Sequence, residues 1–256
     1  GIAGRVIGES ELLVDEPALL PGHAGAIHFP GDAHLRPDRY CDELARCVRA
    51  AGGVIEEGVA VQGFRNEAGR IVDVATSDGP RRARDVLLAL GPWSPQIARE
   101  LGLRLPIQPG KGYSITYDRP QRAPRRPLVL RDRSVCVTAW GSGYRLGSTM
   151  EFSGFDDALT RVRLDALERG ARESLVEPLG PVKREEWFGW RPMSVDDLPL
   201  LGRSPRHDNL WLATGHGMLG ITLSAATGRL LADLLTGSEL PIDPRPFDPS
   251  RFGALR

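Results

Sequence analysis

The sequence predicts a mixed fold, part α/β and part α+β, in which βα units and an antiparallel sheet share one chain. Two junctions support the βα units. The runs VLLAL (residues 86–90) and NLWLAT (209–214) are short and apolar, each meets a glycine, and each leads into a helical pattern. The antiparallel sheet rests on PIQPGKGYSITYD (106–118), LVLRDRSVCVTAW (128–140) and YRLGSTMEF (144–152), which alternate at regular spacing.

The remaining elements follow in order. Residues 36–53 read as a helix: Pro37 stands near its start, Leu44, Cys47 and Val48 recur at helical spacing, and Gly52 and Gly53 stop it. Residues 54–64, 71–76 and 86–90 read as three strands of one small sheet, separated by turn-forming NEAGR and SDGPRR. A short helix is expected from Ser94 to Gly102, and a longer one from Asp156 to Leu179, crossing the antiparallel sheet. VKREEWFGWRPMSVDDLPLLGRS reads as a strand followed by an ordered loop. GHGMLGITLSAATGRLLADLLTG reads as a glycine turn and an amphipathic helix ended by Gly237, and the proline-rich 241–256 as an extended tail.

Composition narrows the partners. The chain has 256 residues, 41% hydrophobic and 26% charged, enough for one large domain or two small ones. Lys plus Arg equals Asp plus Glu at 33 each, so no net field gathers nucleic acid or an anionic membrane. Cys41, Cys47 and Cys136 fit neither a CxxC pair nor a zinc knuckle, and Cys41 and Cys47 are expected as small buried hydrophobes. No metal site is expected. No apolar run is long enough to span a bilayer, which leaves a soluble or peripheral chain. Because it opens on Gly1 rather than Met, GIAGRVIGESELLVDEPALL is expected to continue an upstream segment.

Two stretches can carry chemistry. In NLWLATGHGMLGIT, a buried strand, Gly215 and Gly217 and a helix start would present free amides and a positive dipole end to an electron-rich ligand. The same glycines would serve equally as a tight strand-to-helix connection. In EEWFGWRPMSVDDLPLLG, Arg191 sits between Trp190 and Pro192 with few polar neighbours. Such a guanidinium either receives a ligand carboxylate or pairs with Asp196 or Asp197.

Together these stretches resemble the C-terminal signature of the D-amino-acid oxidase superfamily of FAD enzymes, WFGWRPMSVDDLPLLG followed by NLWLATGHGMLGIT. GAIHFPGDAHLRPDRYCDELARCVRAAGG resembles that family's pre-sheet helix and ALGPWS its second flavin segment. PGKGYSIT and STMEFSGFD resemble its substrate-domain strands and point to the D-amino-acid dehydrogenase branch. The resemblance covers essentially the whole chain, but the family's opening strand, GxGxxG turn and helix have no counterpart. It implies an incomplete Rossmann-like FAD-binding domain in residues 1–104 and 185–256, and an antiparallel-sheet substrate domain in 105–184. It further implies that the chain holds FAD poorly or with a complementing N-terminal segment.

By the same resemblance, the backbone of Val61 meets adenine, and Ala89, Leu90, Gly91 and Trp93 form the turn beside the flavin. Gly215, His216, Gly217, Leu219, Gly220, Ile221 and Thr222 form the turn over the ring and ribityl chain. Arg191 grips the substrate carboxylate, while the family's partner tyrosine aligns with Val135, leaving Tyr113 and Tyr144 as candidates. His216 is a candidate general base, although hydride transfer from a neutral amine needs none. The implied reaction is oxidative deamination of a D-amino acid, hydride passing from Cα to flavin N5 and the imine hydrolysing to oxo acid and ammonia. A noncatalytic or split subunit and a glycine or sarcosine oxidase are the alternatives. Electrons go to a quinone, another carrier or O2, in a cytoplasmic chain that is free or peripheral at the inner membrane.

Overall fold

The computed structural model describes residues 2–253. In chain order the elements are β1 (Arg5–Gly8), α1 (Glu9–Asp15), β2 (Gly25–His28), α2 (Pro37–Ala50), β3 (Val61–Glu67), β4 (Arg70–Thr76), β5 (Val86–Leu88) and α3 (Ser94–Glu100). There follow β6 (Ile107–Tyr117), β7 (Leu128–Leu130), β8 (Val135–Trp140), β9 (Gly143–Glu151), α4 (Arg161–Ser174), β10 (Lys183–Ser194), β11 (Leu200–Arg203), β12 (Leu210–Thr214) and α5 (Gly220–Thr236). The mixed α and β class is the one the sequence predicts. Two compact units divide the chain, one holding residues up to Leu35 with Lys111–Gly189, the other holding Arg36–Gly110 with the stretch from Trp190 onward. Residues 2–35, grouped in the sequence reading with the flavin-binding part, thus belong with the antiparallel sheet.

The first unit is built on a five-stranded sheet in the order β10, β6, β9, β8, β7. Strand alternation sets its core. Tyr113, Ile115 and Tyr117 of β6, Val135 and Val137 of β8 and Tyr144 and Leu146 of β9 are buried in one cluster with Leu164, Leu167 and Ala171 of α4. Each fully buried leucine contributes about 2 kcal/mol relative to exposure. Lys111 lies in register with these core residues yet is charged and fully buried. Its Nζ donates to Asp156 Oδ2 at 2.9 Å and to the Ala158 carbonyl. Desolvation alone would lower the ammonium's pKa, but its bonds to Asp156 and Tyr113 carry it above its ordinary value.

The second unit holds a three-stranded sheet in the order β11, β12, β5 and a separate β3–β4 hairpin. Strand β12 pairs in parallel with β5, Leu210 opposite Val86 and Leu212 opposite Leu88, and antiparallel with β11. The buried Asn209 side chain accepts from the Ile71 amide at 2.9 Å and donates to the Ile71 and Arg84 carbonyls at 2.9 and 3.1 Å. A buried amide satisfied in this way locks the hairpin to the start of β12.

Several expectations need correction. Residues 54–60 form no strand, since Gly58 takes a left-handed φ of 74° and breaks the run. Strand β5 joins β12 rather than the β3–β4 hairpin. Residues 128–140 are two strands split at Ser134, which is itself left-handed. Helix α4 begins only at Arg161, because Asp156 bonds Lys111 and the Ala158 amide instead of starting a helix. Leu200–Arg203 is a strand, and the tail forms 3-10 turns at Arg245–Phe247 and Pro249–Phe252. Cys41 and Cys47 are exposed: α2 is amphipathic but buries none of its residues.

Candidate active site

Three sequence segments far apart in the chain meet in the second unit. The first is the turn after β5, where Gly91–Trp93 forms a 3-10 turn leading directly into α3. The second is the end of β10, residues 190–194, and the third is the turn from Thr214 to Gly220. The Ser94 hydroxyl donates to Thr214 Oγ1 at 2.8 Å, and Thr214 Oγ1 donates to the Gly91 carbonyl at 3.0 Å. The Gly217 amide donates to the Pro192 carbonyl at 2.9 Å, and Met193 and His216 pair as an antiparallel bridge. Trp93 and Trp190 stack edge to face with centroids 6.0 Å apart.

The backbone of the last turn is set by its glycines. Gly215 and Gly217 take φ values of +81° and +55°, which side-chain-bearing residues adopt at a cost. A Cβ on Gly215 would stand 3.0 Å from Leu200 Cδ1, so this position is also closed by packing. The turn delivers Gly220 to the start of α5, a helix of 17 residues that, among the described residues, no side chain caps. Its first amides are therefore available at the positive end of the helix dipole.

Around that helix start the surface is apolar and open. Trp93, Met218, Leu219 and Ile221 are all exposed, Met218 to 65%, and no atom beyond its chain neighbours lies within 4 Å of a Cβ placed on Gly91. Ser194 is 6% exposed, and its Oγ has no hydrogen-bond partner among the described residues. Uncapped amides, exposed apolar side chains and one buried free hydroxyl suit a flat, electron-rich ring with polar edges.

The predicted site residues separate into groups. Ala89, Leu90, Gly91 and Trp93, Arg191, and the 215–222 turn belong to the three joined segments. Val61 is exposed at the start of the β3–β4 hairpin. Tyr113 and Tyr144 belong to the other unit, both buried and both engaged. The Tyr113 hydroxyl donates to Glu151 at 2.6 Å and accepts from the Thr160 hydroxyl at 2.9 Å, and that of Tyr144 donates to the Pro178 carbonyl at 3.0 Å. Burial pushes the Tyr144 phenol well above its ordinary pKa.

Arg191 follows Trp190 on β10, and its Nη1 is shielded from solvent. Asp196, weighed from the sequence as its partner, is instead held by Arg251 Nε at 2.9 Å and Nη2 at 3.1 Å. That bond keeps the Asp196 carboxyl below its ordinary pKa. His216 is partly buried with Nε2 3.0 Å from Thr227 Oγ1, and desolvation lowers its pKa. Burial thus favours the neutral form of the ring. Sequence reasoning missed Ser94, Thr214 and Ser194, since the Ser94–Thr214 bond spans 120 positions and no local pattern announces it.

A chain with this fold and these motifs belongs to the DAO family of FAD-dependent oxidoreductases, which it matches over residues 1–234. It is 37% identical over 263 residues to a D-amino acid dehydrogenase of Chromohalobacter salexigens, covering 99% of this chain and 62% of that protein. It is 36% identical to a glycine oxidase of Pseudomonas putida, covering 91% of this chain and 64% of that one. The crystal structure of glycine oxidase from Geobacillus kaustophilus superposes with a TM-score of 0.91 at 27% identity, over 98% of this chain and 68% of that one. The chain thus spans under two thirds of the length of these two curated relatives. FAD is the cofactor of the family.

Proposed function

We propose that the chain is the flavin-capping and substrate-binding portion of an oxidoreductase that deaminates a D-amino acid or another small amine bearing a carboxylate. The observation that carries this reading is the junction of residues 89–94, 190–194 and 214–222, tied by the Ser94–Thr214–Gly91 and Gly217–Pro192 hydrogen bonds. FAD, when bound, supplies the hydride acceptor. The residues of the chain bind and orient.

Arg191 takes the substrate carboxylate in a two-point contact, fixing which C–H bond is presented. The amides at the start of α5 offset negative charge at a polar edge of the cofactor, and Ser194 Oγ offers a further hydrogen bond there. Trp93, Leu219 and Ile221 exclude water from its apolar face. His216, neutral and bonded to Thr227, packs in the turn, and the substrate amine reacts in its deprotonated form without a protein base. The exposed apolar face of α2 supports a further packing partner, the role of the family's dinucleotide-binding segment.

The relatives carry both D-amino acid dehydrogenase and glycine oxidase names, so the substrate side chain is decided by experiment. Protein loaded with FAD, with a βαβ segment supplied in trans or by fusion where loading requires it, is mixed anaerobically with D-alanine, glycine or sarcosine. Bleaching of the flavin by D-alanine first, and by the other two more weakly, is the expected result. Preference for glycine or sarcosine moves the chain to the oxidase reading, and bleaching by none of the three refutes amine oxidation. Reoxidation by O2 or by a quinone-like dye then separates oxidase from dehydrogenase. Among the described residues no helix is long and apolar enough to cross a membrane.

A further inference from the structure

A cavity of about 760 Å³ in the second unit is lined by Pro95, Leu103, Leu105 and Ile107 with Arg99, Arg104 and Arg206. That volume lies in the range of small-molecule sites, roughly 300–1,000 Å³. Its two chemistries are segregated. Leu103, Leu105 and Ile107 are buried members of the core cluster and make the floor, whereas the three arginines are exposed at the rim.

The rim arginines differ from Arg65, which pairs with Asp73, from Arg81, which pairs with Glu56 and Asp78, and from Arg251, which pairs with Asp196. Among the described residues none of Arg99, Arg104 and Arg206 makes an ion pair, and no carboxylate lines the cavity. Glu100, next in sequence to Arg99, has its Oε2 only 3.8 Å from a Cβ placed on Gly63 of β3. Arg206 is also held in place: its Nη1 donates to the Gly102 carbonyl at 3.1 Å, and its guanidinium covers Gly102, whose φ of +69° lets the loop turn beneath it. A guanidinium anchored by one N–H keeps its others for an anion.

We propose that this cavity binds a small amphipathic anion, a carboxylate or phosphate monoester carried on a short apolar body. The arginines take the anionic head and the leucine and isoleucine floor takes the body. The apolar surface lies beneath the rim, which fits a single molecule inserted head outward rather than a flat bilayer. Nucleic acid is disfavoured because no aromatic side chain lines the cavity to stack on a base. The site is independent of the flavin reading, since its lining includes none of the flavin-turn residues, and it stands or falls separately.

The test is calorimetric titration of the chain with octyl phosphate below its micelle concentration, beside inorganic phosphate and 1-octanol. Saturable one-to-one binding of octyl phosphate, at least about tenfold tighter than either control, is expected. The double variant Arg104→Gln/Arg206→Gln should weaken it by about tenfold or more, while Arg169→Gln, an exposed arginine of the other unit, leaves it unchanged. If the double variant folds poorly, Arg99→Gln alone should still weaken binding severalfold. Octyl phosphate binding that is absent, matched by inorganic phosphate, or untouched by the rim variants overturns the proposal.

Discussion

Arg191→Leu in the FAD-loaded protein is expected to lower kcat/KM for the amino acid by on the order of 100-fold, about 2.7 kcal/mol, mostly through KM and with flavin content unchanged. The side chain lies on the segment of β10 that is hydrogen-bonded to the 214–220 turn, the proposed flavin contact, through Pro192 and Met193. Asp196, near it in sequence, is bonded to Arg251. Leucine keeps much of the volume but leaves a substrate carboxylate unmatched. Arg191→Lys should recover little, because a point charge does not reproduce the planar fork. Steady-state kinetics with flavin quantified by absorbance separates the outcomes. Equal losses of flavin and activity would make Arg191 a structural residue of the turn.

Gly217→Val should act on the cofactor instead. Placing a side chain at a φ of +55° costs about 1–2 kcal/mol, and its Cβ would meet only Met193, at an ordinary 3.6 Å. The fold therefore survives, while the valine branches crowd the approach to the helix start and FAD affinity falls by at least about tenfold. Gly237→Val is the matched control. It bears a φ of +70° at the far end of α5 with open space around it. It should cost similar stability and leave FAD binding intact. Thermal melts and flavin titration of both variants decide, and normal flavin affinity in Gly217→Val would remove this turn from the site.

Local signals were readable where one residue type dictates the backbone. Pro37 and Gly52 bracket α2, and Gly237 ends α5 in the left-handed conformation that glycine favours. The alternation of Tyr113, Ile115 and Tyr117 likewise reveals which face of β6 is buried. What depends on distant partners was not readable. Nothing near Val86 announces a parallel pairing with Leu210, and the run from 54 to 60 satisfies strand propensity until Gly58 breaks it. The site divides the same way. Arg191 and the glycine turn stand out by spacing and surroundings. Ser94 and Thr214 become visible only when folding brings them within 2.8 Å, and Ser194 only when its hydroxyl is buried. The exposure of α2 was hidden because an amphipathic pattern predicts a buried face without naming what buries it.

The most direct test of a carboxylate clamp beside the flavin uses an acid with no oxidisable amine, such as benzoate, titrated into FAD-loaded wild type and Arg191→Leu. Wild type should show a saturable shift of the flavin's visible absorption band, and the variant should show none at the same concentrations. A shift of equal size and affinity in both proteins would contradict the placement of Arg191 in the substrate site.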